Sequence, residues 1–359
     1  MHKIDLRHRL ALEIARQQHK DLNRRHPLRQ LFWECTQRCN LRCRHCGSDC
    51  KTSSETPDMP AEDFLRAIDD LIPHVDTRRL NIVITGGEPL MRADLEEIGL
   101  QLYRRRLPWG IVSNGLALTP ARFDSLKAAG IHNLTISLDG LENDHNTMRG
   151  NPASFRRACD AIALAAKDPD ISFDVVTCVT RNSLPTLPQI HDLLLSLGVR
   201  EWRLFTIFPS GRARNCPEFN LTSGEFISLL DFIRETRKKA TIRCSFACEG
   251  FLGNYEGEVR DHFFTCQAGI SIASVLIDGS IGACPSIRAD FAQGNIYDGD
   301  SIWDVWENRF QIYRDHSWMK TGICADCKAF RYCEGNGMHL RESDGSIKHC
   351  HFHQAACKS

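Results

Sequence analysis

The stretch CNLRCRHC, Cys39 to Cys46, sets three cysteines at spacings of four and three, with Cys35 and Cys50 just outside it. Four readings are open: a zinc site, a redox pair, a disulfide framework, or the holder of a metal cluster. A structural zinc site usually pairs two C-x2-C units, and only one close pair is present here. A C-x-x-C redox motif leaves Cys39 unexplained. Three cysteines on one tight loop suit three corners of a cubane. One iron is then left without a protein ligand, open to a substrate or cofactor in the way a catalytic zinc site is open.

The loop follows the apolar run LFWE (31–34), and from there a rhythm begins. Further strand candidates are LNIVIT (80–85), WGIVS (109–113), NLTISL (133–138), SFDVVTCVT (172–180) and WRLFTIF (202–208). Helical patterns lie between them, near 61–73, 93–105, 120–129, 153–167 and 185–197. Strands alternating with helices predict parallel βα units, and six units predict a partial barrel. Such folds work at the C-terminal strand ends. There the sequence reads the cysteine loop, then TGGEPL (85–90), SNG (113–115) and SLDG (137–140). Gly86 and Gly87 let backbone approach closely, and Glu88 is suited to an ammonium group.

Composition narrows the class. The 359 residues suffice for a barrel-sized domain plus a smaller one. Lysine plus arginine equals aspartate plus glutamate at 45 each, so no global field favours nucleic acid. No apolar run approaches a membrane span, and Asp5, Arg7, His8 and Arg9 interrupt any secretory segment. A cytoplasmic protein is expected, in which 17 cysteines point to metal rather than disulfides. Residues 1–30 read as an amphipathic helical segment with Leu6, Leu10 and Ile14 at helical spacing, packed on the main domain. The strand rhythm stops after FPSGRAR (208–214), which divides a core at 31–220 from a cysteine-rich region at 221–359.

CNLRCRHC, GGEP, SNG and SLDG, in that order, resemble the signature of radical S-adenosylmethionine (SAM) enzymes across about 31–214. The resemblance implies that Cys39, Cys43 and Cys46 ligate a [4Fe–4S] cluster whose fourth iron binds SAM. It places Gly86, Gly87, Glu88 and Pro89 by the methionine amino group, Ser113, Asn114 and Ser137 along the SAM site, and Arg149 facing the SAM carboxylate. Cys35 and Cys50, which flank the motif, read as buried bystander thiols, with substrate contact by Cys50 in HCGSDC the alternative. The CGSDC continuation also resembles radical SAM proteins paired with small lipoproteins.

The C-terminal cysteines resemble a SPASM extension, which usually carries two auxiliary [4Fe–4S] clusters. Cys324, Cys327, Cys333 and Cys350 would hold one, with Cys357 a rival to Cys350. Cys266 and Cys284 would hold part of the other. The pattern departs at Ile272 and Gly337, where two further cysteines are usual, so Cys244, Cys248, His339 and Cys357 become substitutes. One or two auxiliary iron–sulfur clusters are therefore expected. His349, His351 and His353 read as exposed strand histidines.

The implied fold is α/β: a partial (β/α)6 TIM-like barrel with a C-terminal cysteine-rich SPASM-type domain. The implied activity is a radical SAM oxidoreductase that abstracts hydrogen from a peptide or protein, fed by flavodoxin or ferredoxin. The alternatives are a small-molecule or tetrapyrrole-modifying radical SAM enzyme, and a zinc-stabilised binding protein without catalysis. No catalytic acid or base stands out, since Asp139, Asp144 and His145 read equally well as structural.

Overall fold

The structure is a computed structural model that describes residues 4, 6–207, 209–247, 249–287 and 291–356. Its centre is one sheet. The six expected strands form as β1 (Gln30–Thr36), β2 (Asn81–Gly86), β3 (Trp109–Ser113), β4 (Asn133–Ser137), β5 (Ser172–Val179) and β6 (Glu201–Thr206). They pair in sequence order, each parallel to the next. The chain begins with α1 (Leu6–Arg25), and the crossover helices are α2 (Ala61–Leu71), α3 (Leu95–Arg104), α4 (Pro120–Ala128), α5 (Glu142–Arg149), α6 (Ser154–Ala165) and α7 (Leu187–Ser196). Thr119 caps α4 from its side chain, with Pro120 at the first helical position.

Alternation along the strands divides the molecule. Leu31, Trp33 and Cys35 of β1, Ile82 and Ile84 of β2, and Leu134 and Ile136 of β4 are buried in the layer under the helices. Trp33 stacks on Phe64 of α2 at 4.1 Å. The intervening residues Thr85, Val112, Thr135, Ser137, Val176 and Phe205 stay partly accessible. One face of the sheet is thus sealed, and the other lines the barrel interior, partly accessible at these positions and closed at Glu34, Thr36 and Val83.

The sheet continues past the six units. Helix α8 (Ser223–Lys239), started by a Thr222–Glu225 capping box, leads to β7 (Arg243–Phe246), parallel to β6. Then β8 (Ile272–Val275) pairs parallel with β1, followed by antiparallel β9 (Ser280–Gly282) and β10 (Gly294–Asn295). The order is β10-β9-β8-β1-β2-β3-β4-β5-β6-β7. Residues on both sides of 220 therefore share one sheet.

Two expectations are corrected. The helix at 6–25 forms, but its packed face carries Leu12 and Ala15. It lies against Phe251, Phe264 and Ala329 of the C-terminal region, and Leu6, Leu10 and Ile14 are 73%, 63% and 63% exposed. Every-fourth-residue spacing marks a stripe without showing which stripe meets protein. Nor are the HCHFH histidines on an exposed strand: His351 opens the short helix His351–Ala356 and is buried among Phe226 and Phe246. Among the described residues no helix is long and apolar enough to cross a membrane.

Candidate functional site

The cysteine loop leaves the end of β1. Arg92, buried beside Trp33, holds this end by donating to the carbonyls of Cys35 and Met59 at 2.8 and 2.9 Å. Cys39, Cys43 and Cys50 are buried together, with Cys46 packed against them. Burial pushes the Cys39 thiol up to about 11 and raises Cys43 as well. These sulfurs therefore hold their protons until a metal displaces them. A hydrogen bond from Cys50 draws Cys46 the other way, below an ordinary thiol.

The strand-end motifs are stitched to one another. Gly87 N–H donates to the Thr36 carbonyl at 2.7 Å and Glu88 N–H to the Arg38 carbonyl at 2.9 Å. Gly86 has φ +132°, and a Cβ there would lie 2.1 Å from the Thr36 oxygen; at Gly87 it would lie 2.3 Å from the Arg38 oxygen. Only glycine admits this approach. The Glu88 carboxylate is turned inward, 1% exposed. It accepts from the Ser113 hydroxyl at 2.9 Å, Asn114 N–H at 2.8 Å and Leu90 N–H at 3.2 Å. Burial raises its proton affinity and these donors oppose that rise. The Asn114 amide donates to Asn40 at 2.8 Å and reaches toward the Cys39 sulfur at 3.9 Å.

Arg149, at the end of α5, comes in from the other side. Its guanidinium donates to Asp139 at 2.7 Å and approaches the Cys43 sulfur at 3.7 Å. Burial opposes its charge, yet Asp139 and Cys43 keep its proton affinity above that of an ordinary arginine. Asp139 also accepts from Cys178 N–H at 3.0 Å and faces His45 at 3.6 Å. The Nδ1 of buried His145 accepts from Asp139 N–H at 3.0 Å. Asp139 and His145 thus serve the architecture of this corner, and Ser137 faces the lumen beside them.

A second cysteine set forms in the C-terminal region. Cys324, Cys327, Cys333 and Cys350 interact with one another, and burial pushes Cys333 up to about 12. Arg341, 2% exposed, donates to the Cys324 sulfur at 3.1 Å. Cys266 and Cys284 both pack against the main core, and Cys266 also borders the Phe251–Phe264–Ala329 cluster that Cys327 and Cys333 border. Gly337 has no room for a longer side chain, because a Cβ there would sit 2.8 Å from both the Glu249 carbonyl and the His339 ring. Cys244 is a core residue of β7, and Cys248 and Cys357 lie outside the described residues. Sulfur-only donor sets with N–H donors aimed at the sulfurs fit iron–sulfur ligation at both places.

Sequence reading missed Arg92, Arg341 and Glu249. Glu249 accepts from Thr206 N–H at 2.7 Å at the end of β6, faces His351 at 3.3 Å, and is pushed up to about 7 by burial. An isolated arginine or glutamate in a loop carries no local mark of burial.

Residues 33–193 match the family model described as the radical SAM superfamily, and residues 266–328 match the SPASM iron–sulfur cluster-binding domain. The chain is 26% identical over 321 residues to an AdoMet-dependent heme synthase of Nitratidesulfovibrio vulgaris, covering 85% of this chain and 86% of that one. It is 26% identical over 311 residues to mycofactocin maturase MftC of Mycobacterium tuberculosis, covering 86% and 78%. Among solved structures it resembles Streptococcus suis SuiB bound to its precursor peptide SuiA, at TM-score 0.70 and 15% identity over 93% of this chain and 78% of that one. It also resembles anSMEcpe with AdoMet and a peptide, at TM-score 0.70 and 20% identity over 92% and 94%.

Proposed function

Because the chain is a radical SAM enzyme with a C-terminal SPASM extension, we propose that it removes hydrogen from a peptide substrate and leaves it oxidised or crosslinked. The observation that carries the radical reading is the stitching of Glu88, Ser113 and Asn114 beside Cys39, Cys43 and Cys46 on one rim. When bound there, a [4Fe–4S] cluster and SAM supply one-electron cleavage of the sulfonium and a 5′-deoxyadenosyl radical.

The chain's own residues do the rest. Cys39, Cys43 and Cys46 would hold the cluster. Gly86 to Pro89 offer a close backbone edge to the SAM amino group, with Ser113, Asn114 and Ser137 along the nucleoside. Glu88 acts from behind, fixing Ser113 and Asn114 by accepting their hydrogen bonds. Arg149 reaches SAM only as part of its pair with Asp139. Cleavage is assigned to 31–220 and auxiliary electron handling to 221–359. Cys324, Cys327, Cys333 and Cys350 hold one auxiliary cluster; Cys266 and Cys284 complete a second only with ligands other than positions 272 and 337. A flavodoxin or ferredoxin supplies the electron.

The lumen favours a peptide. Its wall mixes Thr85, Val112, Ser137, Val176 and Phe205, and Arg203 on β6 already donates to Asp174. A tetrapyrrole with several carboxylates calls for unpaired cations. The second reading, tetrapyrrole modification, rests on the similarity to heme synthases. Anaerobic reconstitution with SAM and reductant decides between them. Mass change of a candidate precursor peptide with 5′-deoxyadenosine release supports the first; turnover of an iron porphyrin alone supports the second.

A further inference from the structure

Arg341 is a buried guanidinium that no carboxylate neutralises among the described residues. It donates to the carbonyls of Gly335 (2.7 and 2.9 Å), Gly345 (2.7 Å) and Met319 (3.2 Å), and to the Cys324 sulfur at 3.1 Å. Backbone carbonyls orient a cation but bring no countercharge. Burying a charge without one is costly. The group at hand that can balance it is Cys324, the one cysteine it touches, as a thiolate on a metal cluster shared with its neighbouring cysteines.

The N-terminal site has the same contact with the opposite balance. Arg149 also reaches a cysteine sulfur, but Asp139 cancels its charge from 2.7 Å. The potential of an iron–sulfur cluster depends on net charge and on hydrogen bonds to its sulfurs. A compensated arginine leaves the potential low, as cleavage of a sulfonium requires. An uncompensated one stabilises the more negative, reduced state.

We propose that Arg341 raises the reduction potential of an iron–sulfur cluster at Cys324, Cys327, Cys333 and Cys350 above that of the SAM-binding cluster, making the C-terminal site the electron acceptor. The inference rests on the proposed cluster at those cysteines. The step is outer-sphere: a substrate radical loses a proton and closes its new bond, and one electron passes to the C-terminal site. Arg341 is a positioning residue in this scheme, for it touches neither substrate nor SAM.

The test is EPR-monitored redox titration of the full-length reconstituted protein, in which SAM perturbs the N-terminal signal and so separates the two clusters. In Arg341→Gln the C-terminal potential falls by about 59 mV or more, a tenfold shift of a one-electron equilibrium, while the SAM-sensitive signal stays put. Arg341→Lys stays within that tenfold of the parent, because the charge is kept. A loaded Arg341→Gln protein with unchanged potential overturns the proposal. If the Gln variant holds no C-terminal cluster, the Lys variant decides: a retained potential supports the charge, and a tenfold fall overturns it. Failure of both variants to load makes Arg341 a scaffold and likewise overturns it. If the parent protein shows no SAM-insensitive cluster, the cluster assignment itself fails, a result separate from any shift on substitution.

Discussion

Two regions of this molecule gather cysteines around a buried arginine, and they treat its charge differently. At the end of β1, Arg149 is shared between Asp139 and Cys43, inside a network that includes His45, Cys178 and His145. In the C-terminal region, Arg341 meets Cys324 and three carbonyls. The first site is electrically closed before any metal arrives. The second is closed only by what binds there. A shared motif, arginine to sulfur, thus meets a carboxylate in one place and only neutral acceptors in the other, the difference on which the proposed ordering of potentials rests.

The largest expected effect separates the two regions outright. Changing Cys39, Cys43 and Cys46 to Ala abolishes 5′-deoxyadenosine formation and leaves about 4 of about 8 irons per chain. Iron and sulfide analysis with product assay checks this, and residual 5′-deoxyadenosine would break the division of labour. Next comes the charge balance in the iron-free chain. Arg149→Leu strands buried Asp139 and costs about 3–5 kcal/mol in urea unfolding. Arg341→Leu strands neutral acceptors, three carbonyls and the Cys324 sulfur, and costs about 1–3 kcal/mol. Equal costs would erase the contrast.

Acid sharpens the comparison further. Burial lowers His145 to about 4 and His351 to about 3, from an unfolded value near 6.5. Their stabilisation is complete above about 6.5 and is lost as pH falls toward 4, at most roughly 3 kcal/mol for His145. Glu249 runs the other way. Its folded value of about 7 lies above the unfolded 4.5, so its contribution is present below about 4.5 and lost as pH rises through 7. Melting temperatures between pH 4.5 and 7 should therefore fall on acidification, and His145→Asn should flatten that slope more than the paired change of Glu249 and His351. The smallest effect is at Glu88. Glu88→Gln keeps the shape but mismatches donors, weakening SAM binding by about tenfold, or 1–2 kcal/mol, at constant iron. Equilibrium binding measures it, and unchanged affinity would remove Glu88 from the support of the site.

The six core strands and the rim motifs were readable because each depends on nearby residues: period-two runs, glycine pairs and cysteine spacing. Gly86 and Gly87 announce a close approach, and the structure supplies the oxygens that demand it. What was unreadable depends on distant partners. Nothing in SIASV tells that β8 will lie against β1, with Ile272 in register with Gln30, 242 residues earlier. The buried side of α1 is chosen by Phe251 and Phe264, not by the spacing of Leu6, Leu10 and Ile14. Arg341 looks like an ordinary loop residue, and His351 like an exposed strand histidine, until the C-terminal region closes over them.

The pairing of β8 with β1 has a consequence for how the protein is made. During synthesis from the N-terminus, β1 can meet β2 early, but its other edge stays open until Ile272–Val275 leaves the ribosome. An unpaired edge next to the cysteine loop is a site for wrong association. The nascent barrel thus keeps an open seam along β1 until that strand arrives. A protein shortened before residue 272 would emerge with the metal loop hanging from an unfinished seam.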